Sequence, residues 1–185
     1  MPPIWVSAPD IMTTEELPEV VGSKAQVLAV CLLQEHLARW RARRGRPVTL
    51  VGFSLGAYVV WECLHEMCRA SEAGEARAAG IVQHAVLLSL PASSDPARWR
   101  RLRRVVAGRL VNCYRPDNLV LSLAHRAAQL KAFGVAGLGP VPAGAGVESY
   151  NVSRLVRPEA EIVRAHHRYR FTVGPVLRHV GLAED

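Results

Sequence analysis

One serine lies between two glycines in Gly52-Phe53-Ser54-Leu55-Gly56. It is the residue of this chain whose type and surroundings best suit covalent chemistry. In "PVTLVGFSLGAYVVWECL" the aliphatic run Val48, Leu50 and Val51 predicts a buried strand, and Ala57 to Ala70 predicts a helix with Val60, Leu64 and Met67 on one side. The G-x-S-x-G pattern therefore falls at a strand-to-helix turn, the context a nucleophile elbow requires. There the serine takes a strained backbone conformation, and flanking glycines remove Cβ atoms that would collide with the neighbouring elements. The Leu55 amide, at the start of the helix, is the expected oxyanion donor. The plain alternative is a tight glycine turn after a strand.

A serine hydroxyl is a weak nucleophile until a histidine accepts its proton, and the histidine needs an acid to fix its tautomer. When the elbow comes first, the acid and then the histidine follow it. Of Asp10, Asp95, Asp117 and Asp185, Asp117 in "VNCYRPDNLVL" is the one that directly follows a candidate strand after the elbow. Active sites of parallel sheets gather at that end of the strands. The competing role for Asp117 is an N-cap for the next helix, which Asn118 could equally provide. Among His36, His65, His84, His125, His166, His167 and His179, chain order and placement favour His166 in "VRAHHRYRF" as the base. If both neighbours are helical, His167 points about 100° away. A surface role is the alternative for each.

These residues need a scaffold of alternating elements. A polar leader over 1–22 precedes a helix in "SKAQVLAVCLLQEHLARWRARR", whose Val27, Val30, Cys31, Leu37 and Trp40 recur at helical spacing. Then follow the elbow strand and helix, the strand "IVQHAVLLSLP", an arginine-rich helix, the strand "RLVNCY", an apolar helix "LVLSLAHRAAQL", a short strand "GVESYNV" and a closing helix from about Glu159 to His179. Alternation of this kind implies an α/β fold, a mostly parallel sheet with crossover helices. The glycines of "GVAGLGPVPAGAG" match no G-x-G-x-x-G or phosphate-loop pattern, so that stretch is loop and no cofactor is expected.

Composition bounds the remaining possibilities. At 185 residues, one domain can bury about 70% of its unfolded surface. No apolar stretch reaches the roughly 18 residues of a membrane span, and the N-terminus lacks signal-peptide character. The expectation is a domain inside the cell, cytoplasmic or membrane-associated. Cys31, Cys63, Cys68 and Cys113 show no C-x-x-C spacing and sit in apolar runs, so buried thiols are expected and neither a disulfide nor a metal site is. The net charge of +7 is carried almost wholly by arginine. It is densest in "ARWRRLRRVVAGR", where Trp99, Leu102 and Val106 share the face opposite the charges. A solvated face is the plain reading. The functional one is that Arg100, Arg101, Arg103 and Arg104 meet an anionic membrane surface. Nucleic acid is not expected, because no binding motif accompanies the charge.

With these residues in hand, "RPVTLVGFSLGAYVVWECL", "VVAGRLVNCYRPDNLVL", "VAGLGPV" and "GVESYNVSRLV", in that order, resemble the α/β-hydrolase-like family of transmembrane and coiled-coil domain-containing protein four. The similarity runs from about Ser23 to the C-terminus. It implies an α/β-hydrolase-like fold, a nucleophile at Ser54 and a base at His166, three residues before Tyr169. The resemblance also implies asparagine before aspartate after the strand's tyrosine. Here Asp117 stands third after Tyr114 and Asn118 fourth, and extra residues lie around "RPEAEIVR". It further implies earlier strands, one of whose loops supplies a second oxyanion donor, whereas few residues precede the elbow strand. The expectation is therefore a sheet lacking its first strands and a chain that self-associates. Two functions follow: a serine hydrolase of the esterase or lipase type acting on an ester or lipid-like molecule, or an inactive hydrolase-like module serving membrane traffic or protein interaction.

Overall fold

The computed structural model describes residues 4–7, 35, 39, 42, 47–74, 80–118, 121, 134–155 and 173–183. Strands β1 (Ile4–Ser7), β2 (Val48–Phe53), β3 (Val82–Leu88), β4 (Leu110–Tyr114) and β5 (Glu148–Asn151) form a five-stranded sheet in the order β1-β2-β3-β4-β5. Every neighbouring pair is parallel. Helix α1 (Leu55–Glu72) joins β2 to β3, and α2 (Pro96–Arg103) lies between β3 and β4. Parallel strands laid down in sequence order, joined by right-handed crossovers, place their connecting helices on one face of the sheet.

The packing agrees with that rule. On one face Val48, Leu50, Ala85, Leu87 and Leu110 meet Val60, Trp61, Leu64 and Met67 of α1 and Trp99 and Leu102 of α2. On the other, Val51, Phe53, Val86, Leu88, Val111 and Cys113 meet Val173, Val176, Leu177 and Val180 of a C-terminal segment that is helical over 173–179. Successive strand residues point to opposite faces, so a sheet covered on both sides reads as a nearly unbroken apolar run. Helix α1 buries Ala57, Val60, Trp61, Leu64, Met67 and Cys68 along one stripe, the period expected of a helix lying on a sheet. Asp95 caps α2, its carboxylate accepting from the Ala97 amide at 2.9 Å, and Pro96 opens the helix. The Trp99 indole N–H donates to the Ser93 carbonyl at 3.0 Å while its ring meets Trp61 edge-on at 4.7 Å. Two large aromatics thereby lock α1 to α2.

At the N-terminal edge of the sheet, Arg109 bolts three elements together. Its guanidinium donates to both Glu148 oxygens at 2.8 and 2.6 Å, to the Tyr150 hydroxyl at 3.1 Å and to the Val180 carbonyl at 2.5 Å. That network holds the C-terminal segment under the sheet.

The α/β architecture is the one expected, with one correction. Residues 4–7, assigned from the sequence to a polar leader, form β1, which pairs with β2 from Ile4–Leu50 to Ser7–Phe53. The elbow strand is therefore not the sheet edge. The short run Ile4-Trp5-Val6 lies among prolines and polar residues, and its parallel pairing with β2 reveals it as a strand. Of the expected helix before β2, Glu35, Arg39 and Ala42 are helical and exposed; its apolar residues Val27 to Trp40 lie outside the described residues. Leu121 of the apolar helix after β4 is helical and buried. The part of the closing helix before residue 173 is likewise outside the described residues.

Candidate functional site

The C-terminal ends of the strands form one row. The Ser54 amide donates to Leu88 O at 2.8 Å, the Ser89 amide to Cys113 O at 3.0 Å, and the Val152 amide to Tyr114 O at 3.1 Å. Ser54 and Ser89 thus leave β2 and β3 side by side. Among the described residues they are the non-glycine residues with positive φ, at 51° and 50°.

Ser54 sits at φ 51°, ψ −118°, one residue before α1. These angles match those of the first central residue of a type II′ turn, a conformation that favours glycine because Cβ crowds the backbone. The turn is tight because α1 starts immediately. A Cβ on Gly52 would stand 2.6 Å from Ala57 Cα and 2.9 Å from the Gly56 carbonyl oxygen, both backbone atoms that cannot give way. The Ser54 carbonyl accepts from the Tyr58 amide at 3.1 Å, which closes the first turn of the helix. Its hydroxyl makes no capping bond to α1. A serine at a helix N-cap ordinarily spends its oxygen on an N2 or N3 amide; this one does not. Leu55 is the first residue of α1, and amides of the first turn have no carbonyl four residues back to bond.

Asp117 lies just past β4, two strands from Ser54, about 10 Å across the sheet at the usual strand spacing. Both its carboxylate oxygens accept from Arg115, Nε to Oδ1 at 3.1 Å and Nη2 to Oδ2 at 2.9 Å. The guanidinium is buried, its side chain 4% exposed against 45% for the carboxylate. This bidentate bond holds the Asp117 carboxyl below its ordinary range, against a smaller upward push from burial. Ser153 Oγ, in the turn that follows β5, also donates to Asp117 Oδ1 at 3.4 Å. The acid thus reaches across to the segment that runs on toward His166. His166 and His167 themselves lie outside the described residues.

The choice between Asp117 and Asn118 as helix cap is decided by the structure. Asn118 is buried; its Oδ1 accepts from the Leu121 amide at 3.2 Å and its Nδ2 donates to Ser89 Oγ at 3.3 Å. Asn118 caps the helix, and Asp117 is left for other contacts. Sequence reasoning passed over Ser89 and Arg115. Ser89 had a faint signal, a lone hydroxyl ending the apolar run of "VLLSLP".

The glycine-rich stretch after residue 133 is a strap stitched over the exits of β3 and β4. The Gly137 amide donates to Leu90 O at 3.0 Å, the Arg115 amide to Gly137 O at 3.0 Å, and Asn112 Nδ2 to Ala136 O at 2.8 Å. A Cβ on Gly137 would fall 2.6 Å from the Ser89 carbonyl carbon, so the glycine is required by close approach.

The arginine helix spends much of its charge internally. Arg101 donates to both oxygens of Glu72 of α1, Arg104 lies 3.9 Å from Glu72, Arg100 Nε donates to Pro96 O at 3.3 Å, and Arg103 donates to the Val106 carbonyl. Trp99, Leu102 and Val106 are buried, as the pattern predicted. Cys63, Cys68 and Cys113 are buried free thiols, and burial pushes Cys63 and Cys113 up to about 12. No described helix is long and apolar enough to cross a membrane.

Comparison with known proteins bears on what this framework belongs to. The chain is 38% identical over 137 residues to the transmembrane and coiled-coil domain-containing protein STS1 of Oryza sativa, covering 74% of this chain and 19% of that protein. An uncharacterized membrane protein of Caenorhabditis elegans is 33% identical over 77% of this chain and 21% of its own length. A Saccharomyces cerevisiae protein named "Probable lipase MIL1" is 31% identical over 87% of this chain and 13% of its own length. The chain therefore spans about a fifth or less of these relatives. No solved structure matches it. The match to the family described as "Protein of unknown function (DUF726)" runs over residues 21–183, and the chain belongs to that family.

Proposed function

We propose that the chain is an α/β-hydrolase-like domain whose C-terminal sheet edge is a serine hydrolase site of the esterase or lipase type. The observation that carries this reading is the backbone of Ser54. A non-glycine residue is held in a strained conformation at a strand-to-helix turn, with its hydroxyl left uncapped. Strain of this kind persists where the surrounding structure over-determines it, and it clusters at active sites. In this reading Ser54 Oγ attacks the ester carbonyl, His166 takes its proton and passes it to the leaving alcohol, and Asp117 orients the histidine. The Leu55 amide and the positive end of α1 stabilise the oxyanion. Strand β1 lies on the side of the elbow strand from which this reading expects a second donor, Ser7 pairing with Phe53. The similarity to a protein named a probable lipase adds weight.

A second reading, a catalytically inactive module for membrane traffic or protein interaction, is favoured by one observation. Both oxygens of Asp117 are engaged by Arg115, which leaves the carboxylate a weaker partner for a histidine. Labelling with a fluorophosphonate probe separates the two. The hydrolase reading expects wild type to be labelled and Ser54→Ala not. Equal labelling of both, or of neither, would leave the module.

A further inference from the structure

Glu62 to Arg69 lie eight to fifteen residues along α1 from Ser54, about 12–22 Å at the helical rise. There α1 and α2 part to leave a groove of about 400 Å³ lined by Glu62, His65, Arg69, Ala97, Arg98 and Arg101. At its base the His65 ring stands edge-on to Trp61 at 4.8 Å, and Trp61 in turn meets Trp99. Ala97 opposite leaves room. The rim carries three guanidinium groups from two helices and one carboxylate.

None of the three arginines is saturated by its carboxylate. Arg98, 60% exposed, reaches Asp95 only at 4.0 Å; Arg69 gives Nη1 to Glu66; Arg101 gives Nε and Nη2 to Glu72. A guanidinium has five N–H donors, so each keeps several to offer. Arg98, whose carboxylate partner is the most distant, has the most donors left to turn into the groove. Burial first, then Arg98, Arg101 and Arg69, holds His65 down to about 4. The charged groups lining the groove beside that ring are Glu62 and Arg69 of α1 and Arg98 and Arg101 of α2, with Glu66, Glu72 and Asp95 behind the three arginines. What the groove offers a ligand is unspent guanidinium N–H groups converging from two helices beside a neutral imidazole.

We propose that the groove between α1 and α2 binds a phosphate-bearing anion, with Arg98 and Arg69 donating to its oxygens and His65 beneath it. This site is separate from the Ser54 edge and does not depend on hydrolase activity. A bound phosphate offsets the positive charge of the arginines beside the ring, so His65 gains a proton more readily in the complex than in the free chain. The phosphate could be soluble or belong to a lipid headgroup; the chemistry of recognition is the same.

The test uses the full chain and the His65 side-chain signals in long-range proton–nitrogen spectra, assigned by their loss in His65→Asn. Inorganic phosphate is expected to shift these signals saturably and to raise the His65 titration midpoint, while chloride at equal ionic strength does neither. Arg98→Gln and Arg69→Gln should each weaken the response about ten- to a hundredfold, the value of a hydrogen bond to a charged group. Both side chains are exposed, and circular dichroism melts verify that the variants fold. If soluble phosphate is inert but vesicles containing phosphatidic acid sediment the wild type and not Arg98→Gln, the phosphate is that of a headgroup. No response to either probe, or an equal response in wild type and both variants, overturns the proposal.

Discussion

Replacing Ser54 by glycine should stabilise the chain relative to replacing it by alanine. At φ 51°, ψ −118° a Cβ-bearing residue carries strain of about 1–3 kcal/mol. Alanine keeps the Cβ and therefore the strain. Glycine removes it, at a cost of roughly 0.4–1 kcal/mol in extra freedom of the unfolded chain. Little else changes, because the Ser54 hydroxyl makes no capping bond and the backbone bonds to Leu88 and Tyr58 survive either substitution. The difference leaves Ser54→Gly more stable than Ser54→Ala by about 0.5–2 kcal/mol, or several degrees in Tm at roughly 2–4 °C per kcal/mol for a chain of this size. Urea unfolding followed by tryptophan fluorescence, with a thermal melt beside it, measures the pair directly. Both variants should be silent to the fluorophosphonate probe. Ser54→Ala equal to or more stable than Ser54→Gly would refute the reasoning, because the turn would then impose no strain that a nucleophile could exploit.

Gly52→Ala should lower the urea midpoint by the equivalent of about 1–3 kcal/mol or more, because its Cβ meets the backbone of α1 at 2.6 Å. An unchanged midpoint would mean that α1 can slide. Asn118→Ala should cost about 1–2 kcal/mol through the lost cap and the stranded Ser89 hydroxyl. Asn118→Asp should recover part of that, since it keeps the cap acceptor but not the Nδ2 donor, and denaturant titration ranks the three. Acid should weaken the fold in a predictable window. Arg115 holds Asp117, and Arg109 holds Glu148, below their ordinary ranges. Their contributions are therefore fully present above the unfolded carboxyl values of about 4 and are lost as pH falls through the folded ones. Stability measured across that range should decline less steeply in Glu148→Gln than in wild type.

The local sequence determined a good deal. A β-branched run followed by G-x-S-x-G and an apolar stripe of period 3.6 specifies strand, tight turn and helix, because each feature is a short-range steric or burial preference. The strands β3, β4 and β5 and the buried face of α2 are legible for the same reason. Asp117 was picked out by its place after a strand, yet its partner could not be. That Arg115 would clasp it, and that Asn118 would turn inward to Ser89 and cap the helix, depends on which way two adjacent side chains point after β4, and only the packing of the strap at Gly137 fixes that. β1 went unread because its four residues sit in a proline-containing leader; pairing with β2 makes them a strand. The arginine helix shows the same division. Its amphipathic pattern was readable, but which guanidinium groups are spent on Glu72 and which line a groove beside His65 follows from the juxtaposition of α1 and α2. Two tryptophans far apart in the chain, Trp61 and Trp99, set that juxtaposition by meeting edge to face, a contact that exists only once the sheet has brought the helices together.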